Sequence, residues 1–135
     1  LLEPPKLGKE ITLQTYKEGS YFTALCAAYS GSVPLFFSWY KDGQAIPSQS
    51  NEITINSVSK MQSILSIEKV KAKDSGNYTC SVRNAFGEDS HSIRLIVRGL
   101  NVIQLIYDNS LSVLVAVQLH TNSSEIHTKI GETIT

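Results

Sequence analysis

The sequence predicts an all-β fold, a two-sheet sandwich tied by an inter-sheet disulfide and followed by a poorly defined C-terminal tail. Three observations carry this prediction. Apolar and polar side chains alternate with a period of two from Ile11 to Val97, broken by turn residues, and helical periodicity is weak. The only two cysteines, Cys26 and Cys80, both fall on inward positions of that alternation. Trp39 follows the first by thirteen residues, and Tyr78 precedes the second by two. The layers of a β-sandwich face each other about 10 Å apart, so one cysteine from each can be bridged through the core with an indole packed beside the bridge. Closing a loop of this length removes denatured-chain entropy worth about 4 kcal/mol. A pair of reduced, buried thiols is the alternative at this point.

Each strand follows from the same alternation. The first well-marked one runs near Tyr21 to Ala28, and with Cys26 inward, Phe22 and Ala24 also face the core. The next carries Phe37 and Trp39 inward and turns at Asp42-Gly43, where glycine accepts the positive φ of a tight hairpin. Ile53 and Ile55 then point inward with Thr54 and Asn56 outward, and Leu65 and Ile67 repeat the pattern. The strand from Gly76 to about Arg83 places Tyr78, Cys80 and Val82 in the core, and the last strand does so with Ile93, Leu95 and Val97.

The run Asp74-Ser75-Gly76-Asn77-Tyr78-Thr79-Cys80 gives each residue a separate task. Tyr78 buries its ring and must find a partner for its hydroxyl. Gly76 permits a close approach of another element. Asp74 is placed to accept hydrogen bonds in the turn or to pair with a base, and no second carboxylate or nucleophile accompanies it as catalysis would require. With Cys26, Trp39 and Leu65, this run resembles an I-set immunoglobulin domain, in which Asn84 and Gly87 would take the turn positions of the last hairpin. Pro4-Pro5-Lys6-Leu7, the stretch from Gly31 to Gly43 and Ser63-Ile64-Leu65-Ser66-Ile67 are in addition similar to immunoglobulin domains of the arthropod Dscam family. That resemblance spans residues 4 to 99. It implies a domain of a cell-surface adhesion receptor that recognises another copy of itself or a related receptor, in neuronal wiring or in immune recognition. It also implies an extracellular location, with membrane attachment through another part of the receptor. Two alternatives share the fold: an intracellular structural module of a muscle-type filament protein, and an immune receptor domain that binds an unrelated ligand.

Composition narrows the function classes. Twelve basic and twelve acidic side chains cancel, so clustered positive charge does not recommend nucleic acid or an anionic membrane surface as partner. His91, His120 and His127 lack metal-ligand spacing. No nucleophile elbow or glycine-rich phosphate loop occurs, so neither an enzyme nor a cofactor is expected. The chain begins without Met or a signal peptide, as a fragment or processed product would.

A protein partner is therefore the remaining class, and the outward positions offer candidates for its contact surface. On the sheet that carries Cys26 these are Tyr21, Thr23, Leu25, Thr54, Asn56, Ile64 and Ser66, an apolar group rimmed by neutral polar side chains. Two copies meeting through such a face avoid like-charge repulsion. On the opposite sheet, Asn77 begins an N-x-T glycan acceptor and faces out because Tyr78 faces in. A sugar there hinders contact through that sheet. Phe36, Tyr40 and Arg83 face outward on the same side and form the competing surface. Asn122 begins a second acceptor, Asn122-Ser123-Ser124.

The domain is expected to span residues 1 to 99, released from its sheet near Arg98-Gly99, with residues 100 to 135 as a separate C-terminal segment. Leu111 to Leu119 is apolar but covers nine residues, well short of the roughly twenty needed to span a bilayer. Ile130-Gly131-Glu132-Thr133-Ile134-Thr135 reads as the start of a second immunoglobulin-like domain; a variant terminus accounts for the same composition.

Overall fold

A computed structural model describes residues 2–99 of the chain. Nine strands follow in order: β1 (Lys6–Leu7), β2 (Leu13–Lys17), β3 (Phe22–Ser30), β4 (Phe36–Lys41), β5 (Gln44–Ala45), β6 (Ile53–Ser59), β7 (Gln62–Ile67), β8 (Gly76–Asn84) and β9 (Gly87–Arg98). The helical content of these residues is one 3-10 turn, Ala72–Asp74. The strands form a four-stranded sheet ordered β1-β3-β7-β6 and a five-stranded sheet ordered β2-β9-β8-β4-β5. This is the immunoglobulin sandwich, with Cys26 on β3 bridged to Cys80 on β8 across the two layers.

The N-terminal strand is split between the layers. β1 pairs antiparallel with β3 only at its far end, Leu7 opposite Ala28. The chain then crosses to the other sheet, where β2 runs parallel to β9, with Leu13 opposite Arg94 and Lys17 opposite Arg98. The five-stranded sheet thus contains two members, β2 and the two-residue β5, that the alternation alone did not assign to it. Both are short, and their partners are set by tertiary pairing rather than by their own side chains. The strand expected near Tyr21 to Ala28 is Phe22–Ser30, so Tyr21 precedes it and Tyr29 belongs to it.

One apolar core lies between the layers. Phe22, Leu65, Ile67, Val70, Tyr78, Val82 and Leu95 are fully enclosed, with Trp39 and both cysteines beside them. The Phe22 ring meets Tyr16 edge-on at 5.3 Å between centroids and Tyr78 at 6.0 Å. Tyr78 donates its hydroxyl to the Asp74 carbonyl oxygen at 2.5 Å. Burial, and then the negative charge of Asp74 and Asp42, raises its pKa above the usual phenol range. The Asp74 carboxylate accepts from the Lys71 amide at 2.8 Å, which closes the 3-10 turn and keeps this buried acid satisfied. Trp39 and Cys80 are cross-strand partners, and the indole Nε1 donates to the buried Ser63 hydroxyl at 2.9 Å.

One hairpin and one close approach orient the outer face of the five-stranded sheet. Asp42 and Gly43 both have positive φ, 48° and 86°, which gives the primed two-residue turn that matches strand twist between Lys41 and Gln44. Gly76 holds φ 154° where the Asp42 carboxylate crosses it. A Cβ at Gly76 would lie 2.7 Å from Asp42 Oδ2, so a side chain there forces that carboxylate away.

Candidate interaction surface

The register of the four-stranded sheet decides which outward side chains are neighbours. Leu25 lies opposite Ile64, and Ile64 lies opposite Asn56. One step along, Thr23 lies opposite Ser66, and Ser66 opposite Thr54. The six residues therefore form two parallel rows across β3, β7 and β6, one led by an apolar pair and one wholly of hydroxyl side chains. Cross-strand neighbours of this kind are in side-chain contact range.

The rows differ from the sequence expectation in two respects. Ile64 is half-buried rather than exposed, because it stands on the central strand between Leu25 and Asn56. Tyr21 is 58% exposed, but the Thr23–Ser66 row separates it from Leu25, so the large apolar residues are not one contiguous patch. A further aromatic, Tyr29, shares the outward parity of β3 and is 71% exposed. The strand runs past Ala28, and the odd position of Tyr29 after Tyr21, Thr23 and Leu25 is the sequence signal for it.

The two rows carry no charge, and the exposed Lys6 of β1 and the Glu52, Glu68, Lys69 and Lys71 beside Thr54 place charges around them. The outward positions of β3 are Thr23, Leu25, Ala27 and Tyr29; those of β7 are Gln62, Ile64 and Ser66; and β6 adds Thr54 and Asn56. None is charged. Because β1 leaves β3 after Leu7 and Ala28, β7 is the strand partner of β3 from Phe22 to Ala27, and its other edge borders a groove of about 440 Å³. Thr23, Leu25 and Ala27 line it from β3, Glu10, Ile11 and Tyr16 from the crossing segment and β2, and His91 from β9.

On the five-stranded sheet, Asn77 is exposed at the start of β8. Its backbone N–H donates to Asp42 Oδ1 at 2.9 Å, and its side-chain oxygen accepts from Arg94 at 3.4 Å. Thr79, the hydroxyl residue of the acceptor triplet, shares a 2.7 Å hydrogen bond with Ser92. Phe36 and Arg83 are exposed and directly opposite on β4 and β8, and Tyr40 is half-buried. Asn122 lies outside the described residues. Among the described residues no cluster of metal-ligating side chains occurs, and no helix is long and apolar enough to cross a membrane.

A disulfide-tied two-sheet sandwich with a tyrosine corner defines the class. The chain belongs to the immunoglobulin domain family, whose pattern matches residues 4–84. Residues of this chain are 45% identical over 73 positions to the cell adhesion molecule DSCAML1 of Mus musculus, which covers 54% of this chain and 4% of that protein. The human pro-neuregulin-2, membrane-bound isoform, is 33% identical over 98 residues, covering 72% of this chain and 11% of the relative. The chain thus spans a small fraction of the curated relatives it matches. Among solved structures, the Dscam1 Ig7 domain, isoform 5, superposes with a TM-score of 0.65 at 23% identity, covering 70% of this chain and 97% of that one, a likeness of fold. The I-band fragment I67-I69 from titin superposes with a TM-score of 0.65 at 30% identity, covering 72% of this chain and 34% of the fragment.

Proposed function

We propose that residues 1 to 99 form a non-catalytic protein-recognition module of a cell-surface adhesion receptor, and that this module pairs with another copy of itself or a related receptor through the outward face of the four-stranded sheet. The observation that carries this reading is the uncharged double row on β3, β7 and β6, with the Leu25–Ile64 pair at its head. Antiparallel self-contact sets the rows against each other, burying Leu25 and Ile64 and leaving the hydroxyl row to exchange hydrogen bonds at little desolvation cost. Similarity to DSCAML1, a cell adhesion molecule, supports the same reading, as does the outward Asn77, whose glycan would obstruct the end of the other sheet where β8 begins. An extracellular setting follows from the bridged cysteines on this reading. Residues 100 to 135 are proposed as the opening of a second domain.

The test is sedimentation of the chain over a concentration series beside Leu25→Asp and Ile64→Asp. Self-association of the parent that falls at least about tenfold in either variant, at unchanged fold, supports the face; a burial loss of about 1.5 kcal/mol or more sets that scale. Equal association of all three removes it. The likeness to titin favours a second reading, a structural module of an intracellular filament, and a thiol count on native protein separates the two.

A further inference from the structure

A second apolar surface sits on residues 32–36 and the β8–β9 hairpin, away from the neutral rows. Val33, Phe36 and Phe86 are each about half exposed, at 53%, 50% and 47%, and with Pro34 and Ala85 they line a depression of about 290 Å³. Arg83 lies at its rim with its guanidinium 4.8 Å from the centroid of Phe36. Among the described residues Arg83 forms no ion pair, although Glu88 is its cross-strand partner on β9. The depression therefore combines exposed aromatic side chains with a guanidinium that forms no ion pair among the described residues, residue types enriched at protein interfaces.

Its walls are held in place by one side chain. The Asn84 amide nitrogen donates to the Ser32 and Glu3 carbonyl oxygens, each at 2.9 Å, and its Oδ1 accepts from the Phe86 N–H at 2.8 Å. Ser32 in turn donates its N–H to the Glu3 oxygen at 3.0 Å and accepts the Glu3 N–H on its hydroxyl at 2.9 Å. The loop that carries Val33 and the hairpin that carries Phe86 are thus fixed relative to each other before any partner arrives. A site ordered in advance loses less conformational freedom on binding.

We propose that this depression is a docking site for a loop or peptide segment of a partner protein that presents an apolar side chain beside a carboxylate. The apolar side chain fills the space between Val33, Phe36 and Phe86, and the carboxylate accepts hydrogen bonds from Arg83 in the fork geometry that guanidinium favours. A second copy is the poorer occupant, because two-fold contact centred here brings Arg83 towards its own equivalent.

The probe pair is 3-phenylpropanoate and its neutral counterpart 3-phenylpropan-1-ol, titrated into the isotope-labelled chain and followed by amide NMR shifts. The acid is expected to shift Val33, Phe36, Arg83 and Phe86 and to bind about fivefold more tightly than the alcohol, the scale of one solvent-exposed ion pair. Arg83→Gln, whose dispersed spectrum reports the fold, is expected to bring the acid down to the level of the alcohol. Shifts scattered elsewhere, equal binding of the two probes, or a preference that survives Arg83→Gln would overturn the proposal. Concentration-dependent shifts of these amides without probe would assign the site to a second copy and overturn the partner assignment. Leu25→Asp leaves this titration unchanged, so its outcome is independent of the self-association test.

Discussion

Ser63 shows how a single hydroxyl can set the order of a core. It is buried on the central strand β7, and its oxygen is the acceptor for the Trp39 indole N–H. Ser63→Ala leaves that donor buried without a partner, which costs about 1–3 kcal/mol. A fall of that size in the urea-unfolding free energy is expected, and an unchanged midpoint would mean the indole finds another acceptor. Asp89 is the second decisive residue, tying the N-terminal strand to β9. Its carboxylate accepts from the Leu7 amide at 2.9 Å, from Lys9 at 2.7 Å and from the Ser90 amide at 2.9 Å. Partial burial opposes ionisation, but the Lys9 and amide hydrogen bonds outweigh it and hold the pKa below the ordinary 3.8. A carboxyl depressed on folding contributes stability above its unfolded pKa and loses it as pH falls through the folded value. The Leu7 amide resonance is therefore expected to titrate below pH 3.8, and Asp89→Asn to abolish that titration. A midpoint at or above 3.8 contradicts this tie.

Among the elements, those with strong alternation were legible from sequence. The inward set Phe22, Ala24 and Cys26 on β3 and Tyr78, Cys80 and Val82 on β8 is buried, and the Asp42-Gly43 turn has the positive φ pair that a short hairpin needs. The crossing of the N-terminal strand between layers was not legible. Its two pieces are set by where Leu7 and Leu13 find backbone partners, on Ala28 and Arg94, and no local signal records that choice. The candidate face was legible as a list of outward residues but not as an arrangement. Alternation gives parity, whereas the Leu25–Ile64–Asn56 row requires the pairing register of three strands. At this scale β3 and β8 are expected to be covalently joined in the native protein by Cys26 and Cys80. Thiol titration without reductant should find no free cysteine before or after unfolding in denaturant. Two reactive thiols after unfolding would contradict the bridge and favour the intracellular reading.

At the scale of the whole molecule, the domain presents two surfaces of different chemistry. The four-stranded sheet carries the uncharged double row that we propose pairs with its own copy, while the depression beside Arg83 is an apolar hole with one positive charge at its rim. They lie on different strands, so the two proposed contacts do not compete for the same side chains. Sedimentation equilibrium of the chain beside Leu25→Asp is the decisive measurement for the first of them. Reversible dimers are expected for the parent and monomers for the variant at equal concentration. A parent that stays monomeric throughout, or a variant that dimerises equally well, would contradict this pairing.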